Sequence, residues 1–393
     1  MIFRVLVVLA VTQIIGWGTV GLPAIVGRQM ATDLGMDVAT AFAGNSVLYV
    51  IMGLGAPMLA KPFTRFGARR VMMVGTLVAA GGFGLLAQAQ GGLTYFMAWI
   101  VLGAAGSATL TTAAYIMLNE VAGRGAKSAI SALMLATGLS SSIFWPTTAF
   151  LSAMAGWRIT CLIYAGAMIL VCLPLYAFGL PRRMPAPKAA EPTSPPEPAS
   201  ITARSTFALI VAAIALNAFV TFGFSAIFIE LLKAEGLPAS EAIVFGSALG
   251  VIQVSARAID FLGGVRWDGI TTGLFAGLAL PVSMLVLVAG AGHSVAIAAF
   301  ILIYGLGSGA LAVARATIPL VFYDKDAYAR AASHIALPLN LISALAPPLL
   351  VALLTHFGAN AVLGLAIACS CGALAILLLL SRRRPEGAAV AAT

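Results

Sequence analysis

Apolar residues fill this chain in runs of about 20, separated by short stretches that carry glycine, proline or basic residues. A run of roughly that length, wound as an α-helix, crosses the ~30 Å hydrocarbon core of a bilayer. A helix also bonds its own backbone groups where lipid offers no partners. The pattern predicts twelve spans, roughly at residues 5–27, 38–60, 71–90, 93–118, 128–151, 158–180, 205–229, 241–263, 269–290, 295–320, 331–355 and 361–381. The alternating segments of about 10 residues that build a membrane β-barrel do not occur. The first run is longer than the roughly 7–15-residue core of a secretion signal and lacks a small-residue cleavage site. It is expected to remain as the first helix.

Most connections are short. The exception is 181–204, PRRMPAPKAAEPTSPPEPASITAR, which holds seven of the 19 prolines and no apolar period. Such a composition makes an extended linker. It divides the chain into residues 1–180 and 205–381, each with six spans, and leaves a tail at 382–393. The halves are weakly alike. GSATLTTAAYIML begins at Gly106 and GSGALAVARATIPL at Gly307. Lys127 and Arg330 each open the next span, and the pairs Pro146/Pro348 and Gly156/Gly358 recur 202 residues apart. The expected fold is therefore all-α and integral to a membrane, with twelve transmembrane helices in two six-helix pseudo-symmetric halves. Such repeats build a site near the bilayer midplane between them.

Composition agrees. Apolar residues make up 61% of the chain and charged residues 9%, too few charges to cover a soluble domain. The net charge of +9 would suggest nucleic acid in a soluble protein, but here it reports orientation. All of the 22 Lys and Arg except Arg257 and Arg315 fall in loops or at span ends. With the N-terminus cytoplasmic, all of those except Arg28, Arg158 and Lys233 lie on the cytoplasmic side, a strong positive-inside bias. The expectation is a multi-pass protein of the cell (inner) membrane with both termini and the linker cytoplasmic. It would be monomeric, with the lipid bilayer and a small-molecule substrate as partners and no nucleic acid. Cys161, Cys172, Cys369 and Cys371 lie in spans, so no disulfide framework is implied. The Cys369/Cys371 pair points to different helix faces. Neither a metal site nor a cofactor is expected.

Arg257 and Arg315 change the picture most. A guanidinium near the bilayer centre costs about 2.5–3.5 kcal/mol on insertion scales, so each calls for a partner, a watery cavity or an anionic ligand. Arg257 follows Gln253 by four residues and precedes Asp260 by three, which puts all three on one helix face. Either Arg257 forks onto a substrate carboxylate with help from Gln253, or it pairs with Asp260 to brace a gate. Arg315 lies ~7.5 Å from the end of its span at helical rise. It could serve substrate or gating, or else snorkel to the interface or form a structural pair. The mid-span amides Gln13, Asn45, Asn217, Gln253 and Asn340 fall in spans 1, 2, 7, 8 and 11, and amides avoid lipid because an unpaired polar group there is costly. Trp17, Tyr49, Tyr115 and Trp145 are candidates for walling a cavity, with plain packing as the other reading, and Thr111 and Thr112 for donating to a substrate. His334 is a possible proton site. Glu120, Asp260, Glu230 and Glu241 all sit near span ends, so no carboxylate is expected at mid-membrane.

The loop KPFTRFGARR between spans 2 and 3 resembles the signature loop of the major facilitator superfamily. Arg65, Gly67, Arg69 and Arg70 match it, and Thr64 stands where that family usually has Asp. QVSARAIDFLGG in span 8 resembles the Ala-Arg-Pro-x-x-Gly pattern of its monocarboxylate-porter-like members. Arg257 is the matching position, with Ala258 in place of the Pro and Phe261 in place of the Gly. QIIGWGT, SSIFWPTTAFL, AGWR and ARATIPL resemble a broad bacterial branch. The resemblance implies a carrier whose spans 3, 6, 9 and 12 face lipid and whose Arg257 meets a substrate carboxylate. Span 5 lacks the Gly-x-x-x-Gly-Pro pattern of drug/proton antiporters, and Trp99 stands where the proton-coupled branch commonly has Arg.

These features lead to a secondary active transporter of a small organic anion, a carboxylate, working by alternating access. An exporter of a hydrophobic metabolite or drug is the alternative. No phosphate-binding loop of the ATP-driven type is present, and spans 7 and 8 lack the Met and His spacings of copper importers. Outside transport, the remaining class is a membrane-embedded enzyme or receptor. His293, His334 and His356 are dispersed rather than clustered for hydrolysis, so the chain is not expected to be an enzyme.

Overall fold

The computed structural model describes residues 1–182, 201–263, 267–290 and 292–384. Most of the Pro-rich linker and of the tail, at 183–200 and 385–393, lie outside the described residues. Every regular element among those described is helical. The first half runs α1 Ile2–Val20, α2 Leu22–Leu34, α3 Val38–Phe66, α4 Ala68–Ala87, α5 Gly92–Thr109, α6 Thr111–Ala122, α7 Ala126–Thr137 and α8 Ser140–Ala167. π-helical turns at Met168–Cys172 and Leu175–Gly179 continue α8. The second half runs α9 Ile201–Ala234, α10 Ala239–Gly263, α11 Gly269–Gly290, α12 Ser294–Phe322 and α13 Lys325–Ser381.

Nine segments among the described residues are long and apolar enough to cross a membrane. Two of them, Ala126–Gly179 and Ala327–Ser381, are 54 and 55 residues long, far beyond one crossing. Each is divided by a glycine in a left-handed conformation: Gly156 at φ 80° and ψ 165°, and Gly358 at φ 79° and ψ 179°. A side chain there would be strained, and the helix stops and restarts in a new direction. That two positions 202 residues apart carry the same unusual backbone supports the internal repeat. With these breaks and α10, the arrangement is consistent with twelve crossings.

Several boundaries depart from expectation. The first crossing extends over Ile2–Leu34 and bends at Gly21, with Pro23 opening α2, where proline's fixed φ is welcome. The seventh helix begins at Ile201, inside the stretch expected to be linker. The fourth crossing is interrupted at Leu110, whose ψ of −153° separates α5 from α6. Such a break is tolerated within a bundle only where other groups meet the freed backbone.

The polar turn at the far end of α2 shows how local sequence sets a junction. Gly156 turns α8 so that Trp157 Nε1 donates to Asp33 Oδ2 at 2.7 Å, while Arg158 lies over the Trp157 ring at 4.2 Å and donates to the Ala89 carbonyl at 2.8 Å. Buried apolar residues form two cores, one in each half. Large apolar side chains remain uncovered on many crossings, among them Met58, Val74, Phe150, Leu170, Val251, Phe275, Leu349 and Leu378. In a soluble protein such surfaces would be anomalous; they suit a bundle whose helices are long and apolar enough to cross a membrane.

Candidate functional site

The halves meet in two ways. Along their length α3 packs on α13. There a Cβ at Gly53 would stand 3.0 Å from the Leu337 carbonyl oxygen and 3.2 Å from Asn340 Cβ, so glycine permits a close backbone approach. At the end carrying the Gly67 turn, where α3 and α4 leave only that residue of the expected 61–70 loop unwound, α7 packs on α10 and α12, and Tyr328 and Ala329 of α13 join the apolar core of the other half.

That second junction is polar at its centre. Lys127 opens α7 and Asp260 lies in the last turn of α10. Lys127 Nζ donates to Asp260 Oδ1 at 3.1 Å, and Thr272 Oγ1, in the first turn of α11, donates to the same oxygen at 2.6 Å. Ser131 Oγ, one turn after Lys127, donates to Asp260 Oδ2 at 3.2 Å. Asp260 is only 3% exposed and Ser131 fully buried. Both carboxylate oxygens are engaged, and each half contributes donors. A buried ion pair compensated in this way can offset its desolvation, whereas removing one partner strands the other.

The expected alternative of an Arg257–Asp260 pair is therefore not what forms. The three-residue spacing permits it, but Lys127 and Ser131 arrive from the other half and saturate the carboxylate. Arg257 makes no ion pair among the described residues, and its Nε is buried without a hydrogen-bond partner. Arg315 does not snorkel. Its Nη1 donates to Thr221 Oγ1 on α9 at 3.0 Å, and its guanidinium lies over the Phe222 ring at 4.8 Å. Arg257, Arg315 and the Tyr115 ring on α6 lie within coulombic range of one another. Three helices from both halves thus bring two guanidinium groups and a phenol together, with no carboxylate paired to either arginine among the described residues.

Other expected residues fall elsewhere. Gln253 Nε2 donates to Ser308 Oγ at 3.0 Å and ties α10 to α12. Gln13 Nε2 donates to the Thr109 carbonyl at 2.7 Å and Trp17 Nε1 to Thr111 Oγ1 at 3.0 Å, so the first crossing braces the break in the fourth. Trp17 also lies 6.3 Å from Tyr49, centroid to centroid. Asn340 donates to its own helix at Ala336 beside Gly53. Asn45 and Asn217 each keep a buried carbonyl oxygen without a partner. Trp145 is half-exposed beside the Gly21 bend, away from the arginines, and His334 is exposed. In the signature loop, Arg69 donates to the carbonyls of Tyr176 and Ala177, where the π-helical end of the sixth crossing leaves acceptors free. Gly67 turns there with φ 79°. Thr64 Oγ1 bonds its own helix, and Glu120 Oε1 accepts from the Ala68 amide at 3.4 Å, placing a carboxylate at the α4 N-terminus. Arg65 lies 5.2 Å from its neighbour's ring, Phe66, and Arg70 is exposed.

Two cavities lie away from the arginines. One of about 30 Å³ sits inside the first half, between Thr12, Thr76, Trp99 and Tyr176; the other, about 270 Å³, lies between α9 and α13 near Glu230 and Gly358.

Sequence reasoning missed Lys127, Ser131 and Thr272. Lys127 looked like a flanking charge at a span start, and two hydroxyls in Ala- and Gly-rich helices carried no distinguishing signal.

The bundle of apolar helices, its repeated breaks and a polar site between halves define a multi-pass membrane transporter. The Major Facilitator Superfamily model matches residues 6–260, and the chain belongs to that family. Among solved structures it resembles the human organic anion transporter MFSD10 (TETRAN), with a TM-score of 0.74 at 15% identity over 96% of this chain and 99% of that one. It also resembles the proton:xylose symporter XylE, at 0.69 and 12% over 98% and 96%. Among curated proteins it is 29% identical over 151 residues to human monocarboxylate transporter 11, covering 38% of this chain and 32% of that protein. It is also 29% identical over 191 residues to a chloramphenicol resistance protein of Streptomyces lividans, covering 47% and 46%. The matches span less than half the length of either curated relative.

Proposed function

We propose that this protein is a secondary carrier for a small organic anion bearing a carboxylate, and that Arg257 and Arg315 receive it. The supporting observation is the contrast in pairing: the buried carboxylate of Asp260 is saturated by Lys127, Ser131 and Thr272, while neither guanidinium group has a carboxylate partner among the described residues. A carboxylate accepts two parallel N–H bonds from a guanidinium, and its charge offsets the mutual repulsion of the arginines. Tyr115 supplies a hydroxyl from the other half. Names among the similar proteins, an organic anion transporter and a monocarboxylate transporter, point the same way. On this reading the Lys127 end is cytoplasmic, as are both termini, in the cell (inner) membrane. The protein acts as a monomer, and the described state is closed to the cytoplasm.

Export of a hydrophobic metabolite or drug is the second reading, favoured by the likeness to the chloramphenicol resistance protein. A thermal-stability screen of purified protein against organic acids, neutral metabolites and lipophilic cations separates the two. Carboxylates should raise the melting temperature of the wild type and not of Arg257→Gln or Arg315→Gln. A response to neutral or cationic lipophiles alone, unchanged in both variants, would overturn the anion reading.

A further inference from the structure

We infer that Asp260 is an exchange residue: bound to Lys127 while this end is closed, it takes Arg257 as its partner when the halves part, and so displaces the substrate carboxylate from Arg257. This rests on the carboxylate reading above and adds how release is tied to opening.

Three observations carry it. First, Asp260 belongs to the second half, whereas two of its three donor contacts, from Lys127 Nζ and Ser131 Oγ, come from α7 of the first half. Any opening at this junction removes both. Thr272, on α11 of its own half, stays at 2.6 Å, but a hydroxyl cannot neutralise a carboxylate. Second, a buried carboxylate left without a cation is costly, so opening favours any guanidinium that can reach it. Third, Arg257 lies three residues earlier on the same helix, the spacing at which side chains become neighbours, and its Nε is buried and unbonded. It travels with Asp260 through the transition, whereas Arg315 is held on α9 through Thr221 and Phe222. The number of cations in the second half is unchanged, but their anion changes from substrate to Asp260.

The consequence separates this idea from a plain latch. Lys127 and Asp260 form one ion pair, and if that pair only held the halves together, removing either side would move substrate affinity in the same direction. With exchange, the two removals act oppositely. Lys127→Ala leaves Asp260 free to hold Arg257 at all times, and carboxylate affinity should fall about tenfold, the effect of one ordinary charge-assisted contact. Asp260→Asn removes the competitor, so affinity should equal or exceed that of the wild type while turnover falls, because release loses its driving step. The double variant Lys127→Ala/Asp260→Asn should bind like Asp260→Asn.

The experiment is equilibrium binding of isotope-labelled pyruvate and benzoate to purified full-length protein, with efflux from proteoliposomes for turnover. Ser131→Ala, a milder loosening from the α7 side, should weaken binding in the same direction as Lys127→Ala and guards against a variant that fails to fold. Opposite signs for Lys127→Ala and Asp260→Asn, with the double variant following Asp260→Asn, support the exchange. Equal losses in both, with wild-type binding intact, overturn the exchange and leave the carboxylate reading standing. A wild type that binds neither probe nor any other carboxylate overturns both.

Discussion

Two charged clusters lie within one helical turn of each other on α10, and they are built in opposite ways. Around Asp260 both carboxylate oxygens are engaged: a lysine, a serine and a threonine converge on them from two helices, one in each half. Around Arg257 and Arg315 donors remain, with one hydroxyl, one ring and no carboxylate to receive them among the described residues. Both clusters bear the expense of charge in a low-dielectric interior. The first recovers it within the protein and so holds an arrangement. The second does not, which is the signature of a group kept for something that arrives from outside. Saturation, more than burial or charge, separates a bracing cluster from a receiving one.

The contrast is most easily broken at Lys127. Lys127→Ala should cut the tie from α7, pass Asp260 to Arg257 and destabilise the closed arrangement by about 1.5–3 kcal/mol, the worth of a contact to a charged group, read as a lowered melting temperature of the purified protein. A variant as stable as the wild type would show that the pair holds nothing. Next, Arg257→Gln and Arg315→Gln should each cost about 1.5–3 kcal/mol of carboxylate binding, a contact to a charged group, while leaving ligand-free stability unchanged or raised. A loss of ligand-free stability matching that of Lys127→Ala would move the arginines to the bracing side. Thr221→Val, which removes the acceptor orienting Arg315, should weaken carboxylate binding by about 1.5 kcal/mol with little change in melting temperature. The smallest effect is expected for Trp17→Phe. Loss of its indole bond to Thr111 at the broken fourth crossing should cost about 0.5–1 kcal/mol of stability and leave binding intact; a binding loss would place Trp17 in the receiving site.

Much of this was legible beforehand because it is local. Apolar run length marks membrane crossings wherever the run sits, and the 202-residue recurrence of Gly156 and Gly358 became a matched pair of backbone breaks. Family membership was legible too, from Arg65, Gly67, Arg69 and Arg70. The break at Leu110 was not, because nothing in GSATLTTAAYIML disfavours a continuous helix. It exists where Gln13 and Trp17 of another crossing meet the backbone and side chain beside it. Among the amides the expected crossings were right, yet Gln253 and Gln13 are spent on neighbouring helices. A sequence says which side chains are polar but not which have already found partners.

The two arginines mark the boundary between what sequence determined and what packing decided. Their presence in apolar runs, and the need for compensation, follow from composition and the dielectric of lipid alone. Which anion compensates them does not. Asp260, three residues from Arg257, was the obvious local partner, yet it belongs to Lys127, 133 residues away in the chain. Helical spacing sets which side chains can meet on one helix, whereas the docking of two separately built halves sets which do. Only in the assembled bundle do the competing donors of α7 and α11 reach Asp260, so that Arg257 and Arg315 have no carboxylate partner among the described residues.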